Sequence, residues 1–221
     1  MTDSNSQLYK AAFEKLPIEK QNRILSVART EFADNGFENT SIQQIAKKSG
    51  ISVGAVYKYF ENKEALFAAV VQEGLSSLEK FLLEMASSEE DILLKAEKII
   101  RELLVYSRKH PEIIKIYCSL TTGGNTEFLN EISQRIEAVS ASIYTRAISM
   151  AQETGDVRSD VNPAFFAFLL DSILMMLQFS TVCPYYQERF FIYTGKQAPE
   201  SDEQIVEQTL MFLKAAFNFK Q

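Results

Sequence analysis

Thr40-Ser-Ile-Gln-Gln-Ile-Ala-Lys-Lys-Ser-Gly-Ile-Ser-Val-Gly-Ala-Val-Tyr-Lys-Tyr-Phe60 is the stretch whose reading decides the fold. Ile42, Ile45 and Ala46 recur at helical spacing, and Gly50 interrupts the pattern after about two turns. Ser52 is of the capping type and opens a second short helix over residues 53–59. Thr40 and Gln43 stand at capping-box spacing, the Thr40 hydroxyl accepting from the Gln43 amide and the Gln43 side chain reaching back. Two short helices about a glycine turn follow the helix-turn-helix plan. In the second of them Val53, Val56 and Phe60 are spaced to face inward with Ile51 and Ile45. The opposite face reads as Ser52, Gly54, Ala55, Lys58 and Tyr59.

That outer face has a chemistry. Gly54 inside a helix costs about 1 kcal/mol relative to alanine, and small residues let a backbone come close to something such as a DNA major groove. Ser52 and Lys58 can donate hydrogen bonds, and Ala55 can meet a thymine methyl. Tyr57 and Tyr59 carry hydroxyls suited to phosphate oxygens. Lys63 opens the next helix, where a cation opposes the macrodipole unless an anion docks there; Thr40 can hold a second phosphate in the same way. The bland alternatives stay open: Tyr57 also reads as packing against the preceding helix, and Lys63 as a solvated lysine.

Outward from this stretch the chain reads as helix throughout. With Gly 8 and Pro 5 in 221 residues and little strand-like alternation, the expectation is all-α. Residues 1–16 are polar and mixed, a flexible N-terminal arm. Pro17 opens a first helix over 17–35, carried by Ile24, Leu25, Ala28 and Phe32 and ended by Gly36 as an αL residue. Asn62 caps a long helix over 63–85, and further helices are expected over 89–109, 112–120, 126–154, 162–182 and 203–219. The stretch 183–202, with Pro184, Gly195 and Pro199, is read as an aromatic break whose role stays open.

No N-terminal stretch has a basic flank followed by an apolar run, so no signal peptide is expected. The apolar run 164–177, interrupted by Asp171 and Ser172, falls short of the ~20 residues of a membrane span, and a buried helix of a soluble, cytoplasmic protein is expected. Cys118 and Cys183 form no CxxC or metal-type cluster and read as reduced thiols. The net charge of −6 is uneven: residues 1–66 carry nine Lys/Arg and eight Asp/Glu, residues 67–221 carry 14 and 21. The acidic surplus therefore lies outside the stretch that would meet DNA, although a net of +1 there is no basic domain.

The run from Thr40 to Leu66, with Ile24-Leu25, Ala28, Phe32 and Gly36-Phe37 upstream, resembles the signature of the TetR family of transcription regulators over about residues 17–70. Members usually carry Tyr or His where Tyr59 stands. The resemblance implies a three-helix DNA-binding domain over 17–66 with Thr40, Ser41, Ser52, Gly54, Ala55, Tyr57, Lys58, Tyr59 and Lys63 as DNA contacts, and Lys47 as a weaker candidate. It also implies a homodimer through the last two helices, a double-stranded and palindromic operator, and repression rather than activation.

Residues 67–221 then form a helical ligand-binding and dimerisation domain. The segment 203–219 is apolar on more than one face (Ile205, Val206, Leu210, Met211, Phe212, Leu213, Ala216, Phe217), as 162–182 is, so both are buried from several sides or paired about a two-fold axis. Tyr106, Tyr117, Phe128, Met150, Phe168, Met175 and Phe179 can line an apolar pocket, with Asp171 and Gln178 as its polar groups; each also reads as core or interface. The family usually senses a small molecule in such a place, here a largely apolar effector that releases DNA. No cofactor, metal site or catalytic set is expected: His110 is the sole histidine, and no phosphate loop or Ser–His–Asp set appears. A helical interaction module without DNA binding is the alternative, against which Gly54, Ala55 and Lys58 speak, since a retired reading helix would tolerate bulky or acidic residues there.

Overall fold

The structure, a computed structural model, describes residues 8–87, 90–122, 127–195 and 202–217. Among these it has helices and no strand: α1 Ala11–Glu14, α2 Ile18–Asn39, α3 Ile42–Ser49, α4 Val53–Tyr59, α5 Lys63–Ser87, α6 Ile92–Lys109, α7 Pro111–Thr122, α8 Glu127–Glu153, α9 Pro163–Val182, α10 Pro184–Thr194 and α11 Asp202–Phe217. Contacts divide the chain into two compact units, Met1–Ser76 with Lys115–Ile132, and Ser77–Ile114 with Ser133–Gln221. The first unit is thus larger than the expected 17–66 and recruits a later stretch of chain. The all-helical architecture, a helix-turn-helix followed by a helical bundle, is as the sequence reads.

The first unit closes around apolar side chains supplied at helical spacing. Ile24, Ala28 and Phe32 of α2, Ile45 of α3, Val56 of α4 with Phe60, and Leu66, Phe67 and Val70 of α5 are all fully buried. Phe32, Phe37, Phe67 and Phe128 gather together, edge to face with centroids 4.9 Å apart for Phe32–Phe67 and 5.1 Å for Phe37–Phe67, and tilted at 5.4 Å for Phe37–Phe128, the separation at which aromatic pairs attract. Phe128 is therefore a member of this core.

Two boundaries differ from the sequence reading. Gly36 has φ 72° and ψ 170°, not the αL geometry expected of it, and a further turn follows it to Asn39. At the N-terminus, residues 1–7 of the expected arm lie outside the described residues, but residues 8–16 are packed: α1 forms there and Phe13 is buried. An aromatic residue in a polar stretch is invisible to a periodicity argument.

The second unit is built on Leu82, Ile100, Leu103, Leu104, Tyr144, Ile148, Leu174, Val206 and Leu213, which form one buried cluster. Asp91 caps α6 by accepting from the Leu93 and Leu94 amides, and Asn162 caps α9 by accepting from Phe165. Arg101 pairs with Glu203 at 2.7 Å, and Arg108 pairs with Asp202, joining α6 to the start of α11. The expected break after Cys183 is corrected in part: Pro184 opens α10 and Gly195, at φ 66°, ends it. Proline at the first helical position lacks only an N–H that would be unsatisfied anyway, so it starts a helix as readily as it stops one. Residues 196–201 of that stretch and 218–219 of the expected last helix lie outside the described residues, as does the side chain of Phe217.

Candidate DNA-reading surface

The turn between α3 and α4 is fixed from outside it. Gly50 takes φ 69° and ψ 36°, the left-handed conformation that glycine adopts without strain. The Arg23 guanidinium donates to the Ser49 carbonyl from Nε at 3.0 Å and Nη2 at 2.5 Å, satisfying an acceptor at the end of α3. A Cβ at position 50 would also displace that guanidinium from its place. Beside it Lys48 pairs with the buried Glu31. Arg23 and Glu31 lie far upstream in sequence and carried no signal that they hold the turn.

α4 follows as the outward element. Its cap is as expected: Ser52 Oγ accepts from the Ala55 amide at 3.1 Å. Ser52, Gly54, Tyr57 and Lys58 are exposed and Ala55 is half-exposed. A Cβ added at Gly54 would meet only Ser52 Oγ, at 3.9 Å, an ordinary contact distance. Nothing inside the fold asks for glycine there, and its backbone needs no left-handed angle. Lys47 is exposed at the end of α3; Ser41 is half-buried, with its hydroxyl donating to Gln43 Oε1 at 2.7 Å.

Three expected contacts are corrected. Tyr59 is not on the outer face: it is 8% exposed and its ring lies 6.0 Å from Phe13, because position 59 is three on from the buried Val56 and shares its face. Thr40 is not the cap of α3. Ser41 stands at that position, and the buried Thr40 hydroxyl turns back, donating at 2.6 Å toward the Gly36 carbonyl with the Glu31 carbonyl at 3.0 Å. Lys63 is not an unpartnered cation at the start of α5. Its ammonium donates to the Phe37 carbonyl at 2.8 Å and the Glu38 carbonyl at 3.1 Å and lies 4.5 Å from the Phe37 ring. It begins α5 but serves the C-terminal end of α2, where a cation is favoured.

The expected effector-lining residues fall in both units. Tyr117 and Phe128 belong to the first unit; Tyr106, Met150, Phe168, Asp171, Met175, Gln178 and Phe179 belong to the second. Phe168 is corrected, being 64% exposed on α9, and so is Met150, half-exposed on α8: neither is enclosed within a single chain. Gln178 and Phe179 are buried, the latter 5.1 Å from the Tyr186 ring, and the Tyr106 ring lies 4.5 Å from that of His110, tilted against it. Ala167, Leu174 and Gln178 are buried on the α9 face that also bears Asp171. Burial there, reinforced by the Glu137 charge, pushes the Asp171 carboxyl up to about 6. Burial, then the Asp171 charge, holds the Tyr144 hydroxyl well above the usual phenol range.

α9 is also less buried than its composition suggests. It is long and apolar enough to cross a membrane by length and composition alone, yet it packs on α6 and α10. Phe165, Phe168 and Leu169 are exposed on it, Met211 and Phe212 on α11, and Tyr185, Phe191, Ile192 and Tyr193 on α10. Among the described residues no group of three His, Cys, Asp or Glu is placed to hold a metal ion.

Residues 24–70 match the family description "Bacterial regulatory proteins, tetR family". The chain is 30% identical over 122 residues to the HTH-type transcriptional regulator RutR of Escherichia coli K12, a match covering 54% of this chain and only 56% of RutR. Its fold is similar to SmeT, described as the repressor of the Stenotrophomonas maltophilia multidrug efflux pump SmeDEF (18% identity, TM-score 0.68, 95% of this chain and 93% of SmeT). It is also similar to the Bacillus subtilis transcriptional regulator FadR, solved with stearoyl-CoA (16% identity, TM-score 0.67, 86% and 95% of the two chains).

Proposed function

We propose that the chain is a member of the tetR family of bacterial regulatory proteins, whose description residues 24–70 match, and that it is a cytoplasmic, ligand-responsive transcription regulator that reads duplex DNA with α4. The observation that carries this is Gly54: an exposed helical glycine that the fold itself does not need, on a face with Ser52, Ala55, Tyr57 and Lys58. A helix pays about 1 kcal/mol for that glycine, and close approach of a major-groove edge is what makes use of it. Ser52 and Lys58 supply donors to bases, Ala55 a small apolar contact, and Tyr57, Lys47 and Ser41 phosphate contacts.

The protein acts as a two-fold homodimer. The exposed apolar residues Phe165, Phe168 and Leu169 on α9 and Met211 and Phe212 on α11 support this, since such clusters are the usual mark of an interface. A two-fold dimer places two short reading helices on half-sites of a palindromic operator about 34 Å, or a multiple, apart. Binding there makes the protein a repressor, released by a small and largely apolar effector held among the helices of the second unit. Asp171 and Gln178 supply its polar selectivity. The repressor and acyl-CoA descriptions of SmeT and FadR support that reading at the level of fold.

The test is selection of bound duplexes from a random pool by the full chain, repeated with apolar compounds that include acyl-CoAs. A palindromic consensus, lost with one compound class, is expected. Recovery of no consensus would sink the regulator reading and favour a helical interaction module.

A further inference from the structure

We propose that residues 8–16 clamp the reading helix, with Phe13 and Lys10 as positioning residues that set DNA affinity without themselves contacting DNA; this rests on α4 being the DNA-reading element. α4 has seven residues, fewer than a helix needs to hold itself in water, and its last carbonyls have no partner within it. Two of them are taken by one residue of the N-terminal segment. The Lys10 ammonium donates to the Tyr57 carbonyl at 3.0 Å, and the Lys10 backbone N–H donates to the Tyr59 carbonyl at 2.8 Å. A cation at a helix C-terminus is favoured by the macrodipole as well.

Phe13 completes the grip. It is 1% exposed, with its ring centroid 4.8 Å from Phe60, 6.0 Å from Tyr59 and 5.2 Å from Tyr9. The segment is itself anchored: Gln21 Nε2 donates to the Leu16 carbonyl at 2.9 Å and the Glu14 carbonyl at 3.2 Å, tying it to α2. The clamp draws its own residues, Lys10 and Phe13, from upstream of residues 24–70, the stretch that matches the family description, and grips carbonyls and rings that lie within it. Its physical effect is preorganisation. A binding element that is only fractionally ordered binds with an affinity reduced by that fraction, and the clamp raises the ordered fraction of α4.

The experiment uses the full chain with Phe13→Ala and Lys10→Met, reading amide hydrogen exchange in the free protein, and affinity and salt dependence on the duplex selected from the pool. In both variants the α4 amides are expected to exchange faster, by about tenfold for Phe13→Ala, with those of α3 and α6 unchanged. Affinity falls by about tenfold for Phe13→Ala and about threefold for Lys10→Met, while the slope of log affinity against log salt stays that of the wild type, because no phosphate contact is lost. Unchanged α4 exchange in both variants overturns the clamp. So does faster exchange across α2, α3 and α5 alike, which would make Phe13 an ordinary core residue, and a reduced salt slope in Lys10→Met, which would make Lys10 a phosphate contact. A wild type that binds no duplex defeats the DNA reading alone, since the exchange data still decide the clamp.

Discussion

Around the α3–α4 turn, charged and polar groups are committed to partners inside the first unit: Arg23 to the Ser49 carbonyl, Lys63 to the end of α2, Thr40 to the Glu31 and Gly36 carbonyls, and the buried Glu31 to Lys48. In the second unit the balance is reversed along α9. A carboxyl, Asp171, is held in an apolar setting near the like-charged Glu137, and bulky apolar side chains from α9, α10 and α11 stand at the surface. The difference follows from the tasks proposed for the two regions. A reading head must present a rigid surface to a rigid duplex, so its turn is held in advance by these internal bonds, and the small outer face of α4 is left for DNA. A sensor and dimer face is completed by what binds it, so its surplus apolar area and unneutralised acid are placed where a partner or ligand can cover them.

The sharpest way to break this contrast is Gly54→Glu. Position 54 is exposed and a Cβ there meets only Ser52 Oγ at ordinary contact distance, so melting temperature and oligomeric state should be unchanged. Operator affinity in a gel-shift titration should fall by more than about a hundredfold, since a carboxylate would be pressed against phosphate and base edges. Retained affinity would remove Gly54 as the point of approach.

Asp171→Asn probes the other region. The carboxyl titrates near 6 in the folded protein, against about 3.9 in the unfolded chain. The folded state therefore holds the proton more tightly, and the wild type is most stable, relative to the variant, below about pH 4. That advantage should decline as pH rises through about 6, by up to about 3 kcal/mol in urea unfolding. A difference between wild type and variant that is flat from pH 4 to 8 would show that Asp171 is solvated, and the contrast with Glu31 would fail.

Lys58→Ala is the smallest change. It removes one proposed contact from the face of α4 and nothing from the scaffold. Operator affinity should fall by about tenfold, with discrimination relaxed at one base pair of each half-site and stability within about 0.5 kcal/mol of the wild type. Unaltered discrimination would move Lys58 off the base edges.

The reading of the site from sequence succeeded where a short-range rule applied and failed where a second element decided. Ser52 as the cap of α4, Asn62 as the cap of α5 and Gly50 as the turn depend on neighbours within a few residues, and the structure has all three. Tyr59 went wrong because seven residues give a periodicity too little length to separate positions 58 and 59, and the deciding contact, Phe13, comes from a segment without any pattern. Thr40 and Lys63 went wrong because their types suit a helix N-terminus, yet each is captured by the end of α2. In the second unit Phe168 and Phe179 look alike in the sequence, eleven positions apart on one helix; one is 64% exposed and the other fully buried, according to which neighbouring helices cover them.

The sequence by itself determined that the chain is helical, where its reading helix starts and turns, and which small residues that helix carries, because spacing, capping and glycine conformation act over a turn or two of chain. Only the tertiary structure decided which of those residues face outward, that residues 8–16 hold the far end of α4, and that Gly54 has no reason within the fold. Burial and hydrogen-bond partners are set by segments distant in sequence, and no local pattern records them.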